Sequence, residues 1–211
     1  DVSSYFYDLN AKFTYRPNNK DILSLSIFNG TDKLDNSTSL DMSSFGGSST
    51  GHNSSSTDLT KYGNIGSSLK WSRKWSPELY GNTIVSYSNY YSEREKSQER
   101  IRTDDDGEVS YTNTGIFEDN MLYDFSLKSD YQWDHSATGQ LQFGLFATYY
   151  DIDYSYAQND TTTVLDRQNQ ALLAGVYVQD KLKLIDKRLT FLPGIRMSYF
   201  ETSNQIYYEP R

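Results

Sequence analysis

The side chains that could carry out chemistry are few in this sequence of 211 residues, and they form no catalytic pattern. The two histidines, His52 and His135, lie in a Ser/Gly-rich segment and in a short turn, without the nucleophile and carboxylate pattern of a hydrolase. The acidic run Asp104-Asp105-Asp106 suggests a calcium loop, but Arg102 and Asn113 occupy the first and last ligand positions of the EF-hand pattern. We therefore expect a solvated acidic loop there. No enzyme, metal site or cofactor is predicted.

Composition restricts the classes of partner and of fold. The net charge of -8 and the pI near 4.7 argue against nucleic acid, which needs a basic surface. The absence of cysteine excludes disulfides and zinc-thiolate sites. Mean hydropathy is -0.73, and no run of apolar residues is long enough for a transmembrane helix. With 19 Tyr and only four Pro, the chain is predicted to be all-β.

Alternating apolar and polar residues organise the sequence into four predicted hairpins. The alternation is most regular where Gln142, Gly144 and Thr148 intervene between the apolar residues Leu141, Phe143, Leu145, Ala147 and Tyr149. Because successive side chains of a strand point to opposite faces, such a stretch has one apolar and one polar face. Short turns join the two strands of each hairpin at residues 17–19, 76–78, 134–139 and 186–188.

Long polar segments separate these hairpins, at about residues 30–61, 92–115 and 151–169. All short turns therefore fall at one end of the strands. Outer-membrane barrels pair short periplasmic turns with long extracellular loops, whereas soluble sandwiches do not sort their loops by length. The pattern predicts that residues 1–211 form a single segment of an antiparallel transmembrane β-barrel in the outer membrane of a Gram-negative cell, with the three polar segments as extracellular loops.

Aromatic residues are sorted toward the two ends of the predicted strands. Those predicted to lie at the membrane interfaces are Tyr15, Trp71, Trp75 and Trp133 beside the short turns, and Tyr87 and Tyr149 toward the opposite ends. Tyrosines at the bases of the long segments are candidates for contact with a solute: Tyr90, Tyr91, Tyr150, Tyr154 and Tyr156. The alternative role for these five is to anchor the outer aromatic girdle.

The positions of the charges agree with a wide barrel. Arg73 shares the apolar parity of Trp71 but lies beside a turn, where a cation costs about 0–1 kcal/mol instead of the roughly 2–4 kcal/mol at the bilayer midplane. Lys12, Lys128 and Arg196 have the opposite parity and are predicted to face the lumen. Inward charges are costly in a narrow, dry barrel, so a large barrel is favoured.

The first and last hairpins carry motifs that resemble a known family. Residues 5–13 read YFYDLNAKF, followed by RPNNKD at 16–21 and LSLS at 23–26. Residues 176–181 read VYVQDK, followed by LTFLPGIR at 189–196 and YYEPR at 207–211. These stretches resemble barrel hairpins of TonB-dependent outer-membrane receptors of the Bacteroidetes kind, including a recurring "Y-V-Q-D … L-x-x-x-P-G-x-R" hairpin.

The resemblance implies a role in nutrient uptake. Members of that family import iron chelates, cobalamin or glycans through a 22-stranded barrel that holds a plug domain and is energised by TonB. This sequence contains no plug and no recognisable energy-coupling box, and it has about eight strands plus the start of a ninth. The resemblance therefore implies a segment of barrel wall that does not transport alone. Its implied partners are outer-membrane lipid, TonB through the missing plug region, an extracellular solute and a surface lipoprotein.

Two other interpretations remain open at this stage. Eight strands also suffice for a small closed outer-membrane barrel with an adhesive or structural role, although residues 207–211 begin a further strand. A soluble β-sandwich or lipocalin-like binding module would hide its apolar faces inside and refold without detergent. A dry protein centre would exclude the membrane interpretation if it contained Leu141, Phe143, Leu145, Leu189 and Phe191.

Overall fold

The computed structural model describes residues 2–41, 52–103, 108–159, 162–185 and 188–211, which form one antiparallel sheet. Its strands are β1 Ser3–Tyr15, β2 Asp21–Asp35, β3 Thr38–Asp41, β4 His52–Lys74, β5 Leu79–Thr103, β6 Val109–Trp133, β7 Gly139–Gln158, β8 Thr162–Leu184, β9 Leu189–Phe191, β10 Gly194–Phe200 and β11 Gln205–Pro210. One turn of 3-10 helix, Glu201–Ser203, precedes β11. Across these ranges, no helix has the length and apolar character needed to cross a membrane.

The strands are arranged as a meander, because neighbours in the sheet are also neighbours along the chain. The order is β1-β2-β4-β5-β6-β7-β8-β10-β11, with β3 beside β4 and β9 beside β8. The break between β9 and β10 falls at Pro193, which has no N–H to donate to the sheet. Strands β1 and β11 are the two edges, so the sheet is open. The predicted all-β antiparallel fold is confirmed.

The register is regular enough to follow each face across the whole sheet. Strands β5 and β6 pair from Leu79 opposite Trp133 to Thr103 opposite Val109 without interruption. Among the described pairings, the register between β7 and β8 shifts once, between Tyr156 and Ala157. Because residues directly opposite each other in adjacent strands share a face, the pairing determines which side chains lie on each side of the sheet.

The strands extend far into the long polar segments that separate the predicted hairpins. Strands β5 and β6 have 25 residues each and β4 has 23. Most described residues of segments 30–61, 92–115 and 151–169 are therefore in strands, whereas 42–51, 104–107 and 160–161 lie outside the described residues. Both faces are polar in these segments, so the apolar alternation that marks a strand in sequence is absent, but the backbone hydrogen bonds still form.

The described residues contain no buried apolar side chain, so the sheet does not enclose a hydrophobic core. Leu145, Leu189 and Phe191 are 44%, 48% and 55% exposed. Leu141 and Phe143 are of intermediate burial, on the same side of the sheet. The five residues chosen to test for a dry protein centre are thus not packed into one.

Candidate functional site

One face of the sheet carries an uninterrupted apolar row across nine strands. The row, in which each member lies directly opposite the next, consists of Phe13, Leu25, Leu69, Val85, Leu127, Ala147, Ala174, Tyr199 and Ile206. We call this side the apolar face. The residues next to these in sequence form a second row on the opposite side of the sheet, which we call the polar face. This row consists of Lys12, Ser26, Ser68, Ser86, Ser126, Thr148, Leu173, Phe200 and Gln205. Hydroxyl groups dominate this second row.

The height of the apolar face can be estimated from the length of its apolar stretches. In β7 it runs from Leu141 to Tyr149, a separation of eight residues. That is about 27 Å along the strand and roughly 21 Å in height at a strand tilt of about 40°, close to the ~25 Å apolar band of outer-membrane barrels. We call this part of the strands the band. We call the strand residues farther from the short turns, from about Ser92 to Thr103 in β5, the distal extension.

All six predicted interface aromatics lie on the apolar face, with Tyr87 and Tyr149 at the end of the band that leads into the distal extension. The ring of Tyr87 is 4.9 Å from that of Phe125, centroid to centroid. At the opposite end, Trp133 lies opposite Leu79 and Leu141. These aromatic residues therefore lie toward the two limits of the band.

Beside a short turn, the predicted interface cation is paired. The guanidinium of Arg73 lies 4.7 Å from the ring centroid of Trp75 and 3.4 Å, through Nη1, from Asp21 Oδ1. The indole N–H of Trp71 donates to the same carboxylate oxygen at 2.9 Å. The Trp71 and Trp75 rings meet edge to face at 5.8 Å. Cation, carboxylate and aromatic rings thus interact with one another at the limit of the band.

On the polar face, the band is lined by hydrogen-bonded polar groups. Asp130 forms an ion pair with Lys128 at 3.1 Å and accepts a hydrogen bond from the Tyr177 hydroxyl at 2.6 Å. The Gln179 amide donates to Gln142 at 2.7 Å. Lys12, Lys128 and Arg196, predicted to face away from lipid, lie on this face. Such a surface suits water better than hydrocarbon.

The five tyrosines predicted to bind a solute do not share one surface. Tyr90, Tyr150, Tyr154 and Tyr156 lie on the polar face, because each pairs within rows of that face. Tyr91 follows Tyr90 in a strand and therefore points to the other side. Its hydroxyl is 2.8 Å from Thr31 Oγ1, and Lys61 Nζ lies 5.3 Å from its ring centroid. Four of the five candidates for contact with a solute therefore share a face, and Tyr91 lies on the other one.

Tyr154 has the most perturbed environment of the four tyrosines on the polar face. Its hydroxyl donates to Glu118 Oε1 at 3.0 Å. That hydrogen bond, with desolvation and the carboxylate charge, raises the pKa of Tyr154 above its ordinary value. Tyr156 lies two residues further along the same face and directly opposite Glu118. The pair Tyr154 and Tyr156 presents two phenol rings at the start of the distal extension.

In the distal extension of β5, charge is sorted by face. Arg94, Lys96, Arg100 and Arg102 lie on the polar face, and we call these four residues the cation column. Glu93, Glu95 and Glu99 continue the apolar face. Alternation of apolar and polar residues does not reveal this arrangement, because both faces carry charged residues here. The alternation of charge with a period of two residues was the available signal.

The residues first considered for chemistry form no reactive cluster. His135 Nε2 lies 3.1 Å from Asp180 Oδ1 beside a short turn. The acidic run 104–106 lies outside the described residues. Within the part of the chain that the structure describes, no three His, Asp or Glu side chains are grouped so that they could hold a metal ion.

Comparisons with known proteins give similarities of structure only. No protein-family model matches the chain, and no curated protein sequence matches it significantly. The ferric-catecholate import receptor Fiu from E. coli K12 is 11% identical with a TM-score of 0.48, over 98% of this chain and 42% of that one. The outer membrane transporter YddB from Escherichia coli is 10% identical with a TM-score of 0.46, over 100% and 36%. BauA, the ferric preacinetobactin receptor from Acinetobacter baumannii, is 8% identical with a TM-score of 0.46, over 100% and 43%. The chain thus spans roughly two fifths of these structures.

Proposed function

We propose that this chain forms part of the barrel wall of a TonB-dependent outer-membrane receptor that takes up a scarce extracellular nutrient, such as an iron chelate, cobalamin or a glycan. The observation that carries the proposal is the apolar row across nine strands, opposed by a hydroxyl-rich row on the reverse of the same sheet. Soluble monomers do not leave a contiguous apolar surface of this extent in water. The motifs at residues 5–26 and 176–211 support this particular family.

In this proposal, each part of the sheet has its own surroundings. The apolar face contacts outer-membrane lipid, with the six interface aromatics at the two head-group regions. The short turns face the periplasm and the distal extension projects outside the cell. Further strands complete the barrel at β1 and β11, because hydrocarbon does not tolerate unpaired edges. TonB acts through a plug region, and a surface lipoprotein is a further partner.

The polar face holds the proposed contacts with the solute. Tyr90, Tyr150, Tyr154 and Tyr156 lie on it between the end of the band and the start of the distal extension. Phenol rings combine an apolar surface with a hydrogen-bonding tip, which suits recognition of a polar solute. Tyr91, on the other face, serves the outer girdle instead.

The membrane orientation is tested with adjacent residues of β5. The native chain has no cysteine, so single cysteines can be labelled cleanly. Val85→Cys lies on the apolar face and Ser86→Cys on the polar face. In lipid vesicles, we expect quenchers attached to acyl chains to quench a fluorophore at position 85 strongly and one at position 86 weakly. Equal quenching at both positions would contradict the proposal.

The transport role is tested in cells that carry a deletion of the gene. Accumulation of radiolabelled ferric chelates, cobalamin and oligosaccharides is compared with and without the TonB system. We expect one of these solutes to require both the native chain and TonB. Its uptake should fall when Tyr154 and Tyr156 are both replaced by Ala, whereas Tyr91→Ala should leave it unchanged. Uptake that is independent of TonB would reject the proposed energisation.

A further inference from the structure

The distal extension of β5 separates its charges completely between the two faces. From residue 93 to residue 102 the strand reads EREKSQERIR, and the uninterrupted register keeps odd and even positions on opposite sides. Every cation of this stretch belongs to the cation column on the polar face, and every carboxylate lies on the other face. In a chain of net charge -8, four cations on one side of one strand form a local reversal of sign.

Two of the three carboxylates on the far side, Glu93 and Glu99, have partners within the sheet. Glu99 accepts hydrogen bonds from the Ser55 hydroxyl at 3.3 Å and the Tyr111 hydroxyl at 3.1 Å. Glu93 lies 3.4 Å from the Lys61 ammonium. Both of these carboxylates are therefore paired with groups of neighbouring strands.

The described residues supply no ion-pair partner for the cation column. All four of its residues are exposed, and among the described residues none has a carboxylate oxygen within 4.0 Å. Arg100 donates to Gln98 of its own strand at 3.2 Å. Two carboxylates face the column in the register, Asp58 opposite Lys96 and Glu118 opposite Arg94. Glu118 instead accepts the hydrogen bond of Tyr154.

The spacing of the column suits a ligand with more than one negative group. Arg94 and Lys96, like Arg100 and Arg102, are two residues apart on one face, which places their Cα atoms roughly 7 Å from each other. Like charges at this separation repel, and an anion between them relieves the repulsion. Hydroxyl residues flank the arginines, since Arg100 lies between Ser54 and Thr112 in the register. Guanidinium groups bind carboxylate and phosphate oxygens in pairs.

We infer that the cation column binds a small solute with several carboxylate or phosphate groups before it enters the barrel. The inference rests on the proposed function, since it places the column on the lumen side and outside the cell. It narrows the substrate class of the same site to polyanions. Tyr154 and Tyr156 adjoin the column across the sheet, because Arg94, Glu118 and Tyr156 lie in one row. The solute would pass from the cations to these phenol rings.

The test compares two matched pairs of cations in the full native chain, purified in detergent. The variant R94Q/K96Q removes half of the column. The control K33Q/K61Q removes two cations that lie opposite each other on the other face, so the change in net charge is the same. The probes are citrate for carboxylates, pyrophosphate for phosphates and glucose as a neutral solute. Calorimetric titration is carried out at low and at high salt, and circular dichroism checks that both variants are folded.

We expect the native protein to bind citrate or pyrophosphate but not glucose, with an affinity that falls as salt increases. R94Q/K96Q should bind about tenfold more weakly, because each exposed charge contact contributes up to roughly fivefold in affinity. K33Q/K61Q should bind like the native protein. The probe that binds distinguishes a carboxylate solute from a phosphate solute.

Equal weakening in both variants, or no binding of either anion, would overturn the inference. Membrane fractionation and the labelling of positions 85 and 86 separate this outcome from a failure of the proposed function. A chain that passes those tests but binds anions equally in both variants is a receptor without a polyanion site. If the chain fails the membrane tests, the proposed function is rejected, whatever the affinity of the chain for anions.

Discussion

The band and the distal extension are two halves of the same strands that follow different rules. In the band of β5, the faces differ in polarity, with Val85 and Tyr87 on one side and Ser86 and Ser88 on the other. In the distal extension of β5 both faces are mainly polar, and they carry charges of opposite sign. The backbone pairing is the same throughout, without a bulge between β5 and β6. The comparison shows that register fixes which side chains share a face, but not how the two faces differ in polarity or charge.

The largest expected effect comes from placing a cation on the apolar face in each half. Val85 in the band and Ile101 in the distal extension share that face and are 55% and 40% exposed. Val85→Arg should lower the free energy of unfolding by about 2–4 kcal/mol in lipid vesicles, because the charge enters hydrocarbon. Ile101→Arg should change it by less than about 0.5 kcal/mol. Urea unfolding followed by tryptophan fluorescence measures both, and equal values would remove the distinction between the halves.

An intermediate effect should distinguish closely packed from open parts of the polar face. A Cβ atom at Gly144 would lie 2.5 Å from the Ser129 carbonyl oxygen and 2.8 Å from the Tyr177 ring. At Gly66, nearer the distal extension, the nearest atom would be 3.6 Å away. Gly144→Ala should therefore destabilise the protein by roughly 1–3 kcal/mol, whereas Gly66→Ala should be neutral or slightly stabilising. Midpoints of urea unfolding compare the two variants, and a neutral Gly144→Ala would contradict the close packing.

The smallest expected effect is on the ionisation of Tyr154, which lies where the band meets the distal extension. The hydrogen bond to Glu118 raises the pKa of Tyr154, so the folded protein holds this phenolic proton more tightly than the unfolded chain, where the pKa is about 10. The resulting stabilisation is present below pH about 10 and is lost as the pH rises through the folded-state pKa. Phenolate absorbance of the native protein minus that of Tyr154→Phe should show ionisation above pH about 10. Glu118→Gln should move it back toward the ordinary value, and an ordinary pKa in the native protein would refute the interaction.

The band could be predicted from sequence, because its alternation is a direct record of two different surroundings. Leu141, Phe143 and Leu145 identify their face without any knowledge of neighbouring strands. The distal extension could not be predicted from hydrophobicity, since neither of its faces is apolar. Its strands are visible only through the alternating charges of residues 93–102.

Side-chain contacts between strands could not be predicted from the sequence, for a different reason. Arg73 contacts Asp21, which is 52 residues away in sequence, and Tyr177 contacts Asp130, which is 47 residues away. Such pairs depend on the register, which alternation alone does not fix. Tyr90 and Tyr91 are adjacent in sequence, so their placement on opposite faces follows as soon as both are assigned to a strand.

The sorted faces of β5 also guard against errors during assembly. A slip of one residue against β4 or β6 would turn every side chain of the strand to the wrong side. Ser86 and Ser88 would then contact acyl chains, and Arg94 and Lys96 would leave the polar face. The same slip would therefore cost free energy both in the band and in the distal extension. The sorted faces thereby favour the correct register in a strand of 25 residues whose serines would otherwise pair about equally well in neighbouring registers.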